Sequence, residues 1–208
     1  MRRAGDWQEL GVAIDATGSL AWKGAVACES LGRALAALDL PHDLPVGFES
    51  EVCPMLGSWI DEVTASLQRG VALFVDYGLS RSEYYRAERS RGTLRCHYRH
   101  RAHDDPFAHP GLEDITAWVD FTAVAEAADD CGLEVLGYGT QTGALLGLGI
   151  ESAIVDAPDE RTRIRRAAEA RQLLMPTEMG ENFKFIALGR GFTEPLAAFA
   201  HQDLRRYL

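Results

Sequence analysis

Residues 71–75, Val-Ala-Leu-Phe-Val, form an unbroken apolar run between Gly70 and Asp76-Tyr77-Gly78. A strand without a polar face predicts burial on both sides, in the middle of a parallel sheet covered by helices. In open α/β sheets the ligand crevice lies beyond the carboxyl ends of the strands. Asp76 and Tyr77 fall at such an end. A strand-ending turn in which Asp76 caps the next segment explains them equally well. Upstream, Met55, Trp59, Ile60, Val63 and Leu67 recur at helical spacing after Pro54, predicting a helix that runs into this strand. Helix and strand joined so tightly are an αβ unit.

The remaining pattern extends that grammar. Residues 12–14 and 19–22 flank the turn Asp15-Ala-Thr-Gly18, predicting a hairpin within residues 7–22. A short helix is expected over 30–38 with Ser30 as N-cap. A loop follows over 42–46, and a short alternating strand over 48–52 carries Glu49 and Glu51. Residues 80–91 are polar and read as a mobile excursion; 92–100 suit a short strand and 101–111 a loop. Asp120, the face Phe121, Val124, Ala125 and Ala128, and Gly132 at C′ predict a helix over 120–131. Residues 133–139 read as a strand. The helix expected over 141–150 is weakened by Gly143, Gly147 and Gly149. An Arg-rich amphipathic helix follows over 160–175, with Ile164, Ala167, Ala168, Arg171 and Leu174 on one face, and a last strand over 183–188. Together these elements predict an α/β fold.

Composition narrows the class. The 208 residues are 47% hydrophobic and 25% charged, with a formal net charge of −10. An acidic chain repels phosphate, which argues against non-specific nucleic acid or anionic membrane binding. No apolar stretch approaches the roughly 20 residues of a membrane span, and Met1-Arg-Arg leads into no apolar segment, so no secretory signal is expected. Cys28, Cys53, Cys96 and Cys131 are scattered, which fits reduced thiols in a cytoplasmic setting.

Three constellations carry candidate chemistry. His97, His100 and His103 are spaced three apart and followed by Asp104 and Asp105, a ligand-like set. Arg95, Arg99 and Arg101 interleave with them, and positive charge disfavours a dication, so no metal is expected. A solvated basic strand or an anion clamp of Arg95, Arg99 and His100 are the alternatives. Gly137-Tyr-Gly139-Thr-Gln-Thr-Gly143, with Asp156 beyond it, resembles a dinucleotide fingerprint; close packing of a short helix is the plainer cause. Glu51, Asp76, Asp114 and Asp120 stand at element ends. As a group they suit bidentate capture of a guanidinium or general-base work; singly, each suits capping.

Asp76-Tyr-Gly78, Gly92-Thr-Leu94, His97 and His100, Asp105-Pro106, Pro110-Gly111, Asp114-Ile-Thr116 and Val119-Asp-Phe121 occur in that order, followed by Gln141, Gly149-Ile150, Glu181 and Phe183-Lys184. As an ordered set, over residues 7–190, this resembles the MidA-like family of S-adenosylmethionine-dependent methyltransferases. Mitochondrial members of that family methylate an arginine of a respiratory complex I subunit and support its assembly. The resemblance implies the C-terminal part of a class I, Rossmann-like methyltransferase sheet with helices on both faces, an antiparallel last strand, and a family-specific insertion near the substrate. It implies catalytic roles for Asp76, Tyr77, Asp114 and Asp120, and substrate-side roles for Glu51, His97, His100, Asp105, Thr116 and Gln141. The family's donor-binding features, a glycine-rich loop after the first strand and an acid after the second, precede the equivalent of Trp7 and have no counterpart here. No residue is therefore assigned to the donor. The resemblance further implies one partial domain over 1–208, with its lead-in at 1–53, its sheet core at 54–78 and 120–190, and its insertion at 79–119. The expectation is a protein arginine methyltransferase fragment that acts on a protein substrate and needs a donor-binding N-terminal half, as a longer chain or a second polypeptide, or else a homo-oligomer partner. A non-catalytic assembly module is the alternative, and a nicotinamide-dinucleotide protein the weaker one.

Overall fold

The computed structural model describes residues 1–3 and 6–208. Strands β1 (Arg2–Arg3), β2 (Asp6–Ile14) and β3 (Leu20–Val26) precede helix α1 (Glu29–Ala37) and helix α2 (Leu56–Thr64). Strand β4 (Gly70–Leu79) leads to α3 (Arg81–Tyr84), a 3-10 turn (Ala87–Arg89), and the short strands β5 (Arg95–Tyr98), β6 (Arg101–His103), β7 (Asp114–Thr116) and β8 (Val119–Asp120). Then come α4 (Phe121–Asp130), β9 (Glu134–Thr140), α5 (Gln141–Gly147), α6 (Ile150–Val155), α7 (Glu160–Leu174) and β10 (Phe183–Arg190). Two compact units result, and each is built from two pieces of chain. The first comprises Met1–Met55 and Ser82–Trp118; the second comprises Leu56–Arg81 and Val119–Leu208.

The second unit holds a four-stranded sheet in the order β8-β4-β10-β9. Strand β10 runs antiparallel to both β4 and β9, from Phe183 opposite Tyr77 to Arg190 opposite Gly70. The strand buried on both faces is therefore β10. Ile186 and Leu188 pack with Ile60, Phe121, Val124, Ala128 and Tyr138. Phe185 and Ala187 pack on the opposite face with Ala144, Ala198 and Phe199. Fully burying one such large side chain is worth about 1.5–3 kcal/mol, so these two layers hold the unit together.

The expected central strand, β4, sits differently. It pairs in parallel with β8 only at Gly78–Val119 and Leu79–Asp120. Along the rest of that edge it has no strand neighbour among the described residues. Leu73 and Val75 are correspondingly 51% and 44% exposed. An apolar run reports what a face prefers, not what covers it. The strand also continues through Leu79 instead of closing at Asp76. Gly78 permits the parallel approach, because a Cβ there would lie 2.2 Å from the Val119 carbonyl oxygen.

The first unit contains a sheet β1-β2-β3 and a sheet β6-β5-β7. The β2–β3 turn forms as expected: Asp15 Oδ1 accepts from the Thr17 and Ser19 amides at 2.8 and 3.0 Å. The strand expected over 48–52 reduces to a single bridge, Glu49 with Arg91. Residues 80–91 are not a mobile excursion. Tyr84 and Tyr85 are 2% and 3% exposed and anchor the segment. The helix expected over 141–150 is two helices, broken where Gly149 adopts φ 77° before α6. In α7, Ile164 is 62% exposed and Ala170 is the buried residue, so the expected apolar face does not bury.

Candidate functional site

Glu51 is the best-held carboxylate of the first unit. Its oxygens accept from the Thr93 amide at 3.0 and 3.1 Å and from the Leu94 amide at 3.2 Å. They also accept from Thr93 Oγ1 at 2.9 Å and the Tyr84 hydroxyl at 3.2 Å. A carboxylate offers about four lone-pair sites, and all are used. Gly92 adopts φ 70°, and a Cβ there would lie 2.2 Å from Glu51 Oε1. The Gly92-Thr-Leu94 motif is thus a backbone nest for a carboxylate. Glu51, expected to grip substrate, instead ties its own segment to residues 92–94. The one Tyr84 hydroxyl proton is shared between the Glu51 carboxylate and the Trp118 carbonyl at 3.0 Å, with Thr93 Oγ1 at 3.1 Å. Burial, then the Glu51 charge, push the Tyr84 phenol well above the ordinary value.

Beside this nest lies a cavity of about 700 Å³ lined by Trp7, Trp22, Trp118, Glu49, Glu51 and Arg89, among others. Arg89 lies over the Trp118 ring at 5.3 Å. Its Nε, and the hydroxyl of Ser50 on the cavity wall, are buried without a hydrogen-bond partner. Aromatic faces with carboxylates at hand suit a cationic side chain, and unpartnered polar atoms suit a polar ligand.

The histidines do not converge. The β5–β6 turn is Tyr98-Arg99-His100-Arg101, with Arg99 at φ 49° and His100 at φ 63°. Such a turn ordinarily takes Asn-Gly, so the sequence hid it. Strand alternation then sends His97 to one face and Cys96, paired with His103, to the other. His97, His100, Asp105 and Asp114 are exposed. Asp114 pairs with His97, Thr116 pairs with Arg95 and donates weakly to its carbonyl at 3.4 Å, and Asp105 caps its own turn through the Phe107 amide at 2.9 Å.

In the second unit, Asp76 is exposed and accepts the Tyr77 amide at 2.8 Å. Tyr77 is half-buried, edge-on to Phe183 at 5.5 Å. Asp120 does the work of a cap: Oδ1 accepts from the Thr122 and Ala123 amides, and Oδ2 pairs with Arg81 at 3.2 Å. Burial raises its carboxyl above the usual range, with Arg81 opposing. Arg81, bound also to Glu126, is held firmly charged. Gln141 is 5% exposed and donates to the Leu173 carbonyl at 2.9 Å, fastening α5 to the end of α7. The residues that sequence reasoning missed, Tyr84, Trp118 and Arg81, carried no local signal, because their partners lie some 30–40 positions away.

The glycine segment 137–143 is not an open cradle. A Cβ at Gly137 would lie 2.2 Å from the Phe199 ring, and one at Gly143 would lie 2.6 Å from Gln202 Oε1. These glycines admit the C-terminal segment, whose Gln202 Oε1 accepts from the Thr140 amide and hydroxyl. Asp156 is simply the C-cap residue of α6. Phe199 and Gln202 thus occupy the space over these glycines that a dinucleotide would need. No helix among the described residues is long and apolar enough to cross a membrane.

Residues 1–139 match the family described as "Putative S-adenosyl-L-methionine-dependent methyltransferase". The chain is 32% identical over 143 residues to the Danio rerio protein arginine methyltransferase NDUFAF7, mitochondrial, covering 66% of this chain and 32% of that one. The Homo sapiens protein of the same name is 33% identical over 144 residues, 66% and 31%. A crystal structure of an uncharacterized protein from Burkholderia thailandensis superposes with a TM-score of 0.92 at 39% identity, covering 100% of this chain and 55% of that one. A second from the same organism, bound to S-adenosyl-homocysteine, gives 0.90 at 39% identity, 100% and 53%. The chain therefore spans about a third of the curated relatives and about half of the two crystallised chains. The fold is α/β, of the Rossmann-like methyltransferase type. By the match over residues 1–139 and these relatives, the chain belongs to the MidA-like family of S-adenosyl-L-methionine-dependent methyltransferases.

Proposed function

We propose that this chain is the acceptor-side part of a protein arginine methyltransferase that supports complex I assembly, and that it takes S-adenosylmethionine only together with strands that complete its sheet along β4. The observation that carries this is the β4 edge. It has no strand partner among the described residues from Gly70 to Tyr77, and Leu73 and Val75 lie exposed. An open edge carrying apolar residues is a surface built to be paired. Near its end, exposed Asp76 adjoins the Tyr77–Phe183 aromatic pair, and an exposed carboxylate beside aromatic rings is a fitting receiver for a guanidinium.

The test is a calorimetric titration of S-adenosylmethionine onto this chain alone, then with a relative's donor-binding half added, followed by methyl transfer to arginine peptides. No saturable binding alone, binding after addition, and transfer lowered about 10–100-fold by Asp76→Asn are expected. Tight binding by the chain alone would overturn the division of labour. Binding restored without any transfer would favour a non-catalytic assembly module.

A further inference from the structure

One cluster lies outside everything above. Cys96 on β5, His103 on β6 and Glu113 just before β7 each offer one ligand atom, and these atoms all lie within 4.8 Å of one another. Cys96 is fully buried, and the Glu113 side chain is 1% exposed. His103 Nε2 stands 3.0 Å from Glu113 Oε2, an ion pair when the imidazole is protonated, yet neither atom takes part in a hydrogen bond. With the imidazole neutral, its lone pair faces a buried carboxylate oxygen, which incurs a desolvation penalty unless something else satisfies the two. A dication satisfies both at once, and it takes the Cys96 sulfur, the third atom of the cluster, as its thiolate.

We propose that Cys96, His103 and Glu113 bind a divalent transition metal ion of the zinc type, which clips the β5–β6 hairpin to the strand that follows it. One sulfur, one nitrogen and one oxygen suit a borderline cation, not the all-oxygen shells of magnesium or calcium. At zinc bond lengths, ligand atoms in a tetrahedron stand roughly 3.3–3.8 Å apart, so small side-chain adjustments close the shell. The fourth position belongs to water. The Glu113 carboxylate is further oriented by the His109 amide at 3.4 Å. Of the three arginines that argued against a metal, Arg95 lies on the opposite face of β5 and Arg99 sits over the Tyr98 ring at 5.1 Å; Arg101 shares the His103 face of β6 but is exposed. The ligand set is also not the three-residue histidine series, since His97 and His100 are exposed. On binding, the Cys96 proton passes to solvent and the thiolate becomes the ligand.

The experiment uses the full chain, freed of metal with a chelator, then titrated with Co²⁺ and separately with Zn²⁺. The expected result is about one ion per chain by elemental analysis, a thiolate-to-cobalt charge-transfer band, and a higher melting temperature with Zn²⁺. Cys96→Ser should abolish the band. His103→Gln and Glu113→Gln should each bring metal content below about one tenth of an equivalent, while His97→Gln and His100→Gln retain it. A cobalt spectrum without a sulfur band, or full stoichiometry in Cys96→Ser, overturns the proposal. If the ligand variants do not fold, the wild-type cobalt spectrum and the zinc-dependent melting shift decide it alone.

Discussion

Replacing Glu51 by alanine should loosen more of the first unit than the residues it touches. The carboxylate takes four donors: two amides, the Thr93 hydroxyl and the Tyr84 hydroxyl. Hydrogen bonds to a charged group are each worth about 1.5–3 kcal/mol net. The Tyr84 hydroxyl retains the Trp118 carbonyl, and cavity water can reach some of the nest. The Thr93 amide and hydroxyl lose their acceptor at a residue that is 8% exposed. Counting two donors fully orphaned and the others partly rehydrated gives a loss of about 3–5 kcal/mol. For a chain of this size that lowers the melting temperature by roughly 6–20 °C. Glu51→Gln, which keeps one acceptor oxygen but sets an amino group against the nest amides, should fall between. Urea denaturation gives the energy, and amide exchange at Thr93 and Leu94 gives the place. A loss below about 1 kcal/mol, with those two amides still protected, would refute the claim that the nest holds the first unit together.

Two further outcomes follow from the geometry. Gly78→Ala would drive a Cβ to 2.2 Å from the Val119 carbonyl oxygen and 2.8 Å from the Phe121 ring, so it should cost about 2–4 kcal/mol in denaturant unfolding and separate β4 from β8; a neutral result would show that the two strands do not approach in solution. Asp159, the N-cap of α7, has a carboxyl held below its usual range by the Thr162 amide and hydroxyl. Its folded value is depressed, so its contribution is present above about pH 4 and fades as pH falls through that depressed value. Amide protection in the first turn of α7 should follow that course and lose it in Asp159→Asn.

Where local chemistry decides, the sequence was readable. The Asp15 turn, the Asp120 cap with Gly132 behind it, and the order of the large helices and strands all rest on neighbours a few residues apart. The misreadings share a different cause. Residues 80–91 looked solvated because Arg and Glu outnumber the two tyrosines, yet Tyr84 is buried through partners at Glu51, Thr93 and Trp118. Strand β4 and strand β10 have similar apolar runs, and only pairing shows that β10 is the covered one. The Arg99-His100 turn carries no glycine or asparagine, so the pairing of Cys96 with His103 was invisible and attention went to the regular histidine spacing. Of the candidate site residues, Asp120, Glu51 and Gln141 are taken by a cap, a nest and a tie between helices, whereas Asp76, His97, His100, Asp105 and Asp114 stay exposed and Tyr77 half-buried.

The interleaving of the two units sets the order in which the polypeptide can mature. Each is assembled from two stretches separated by a piece of the other, and the bond from the Thr93 amide to Glu51 spans 42 positions. Closing a loop of that length is an entropic burden that grows only slowly with length, but it must be met before the contact gives anything back. On the ribosome, the first unit cannot finish until its last stretch, up to Trp118, has emerged, and the second waits for residues beyond it. In the laboratory, a truncation that ends at Arg81 removes the second stretch of the first unit, so that unit is expected to stay unfolded in such a fragment.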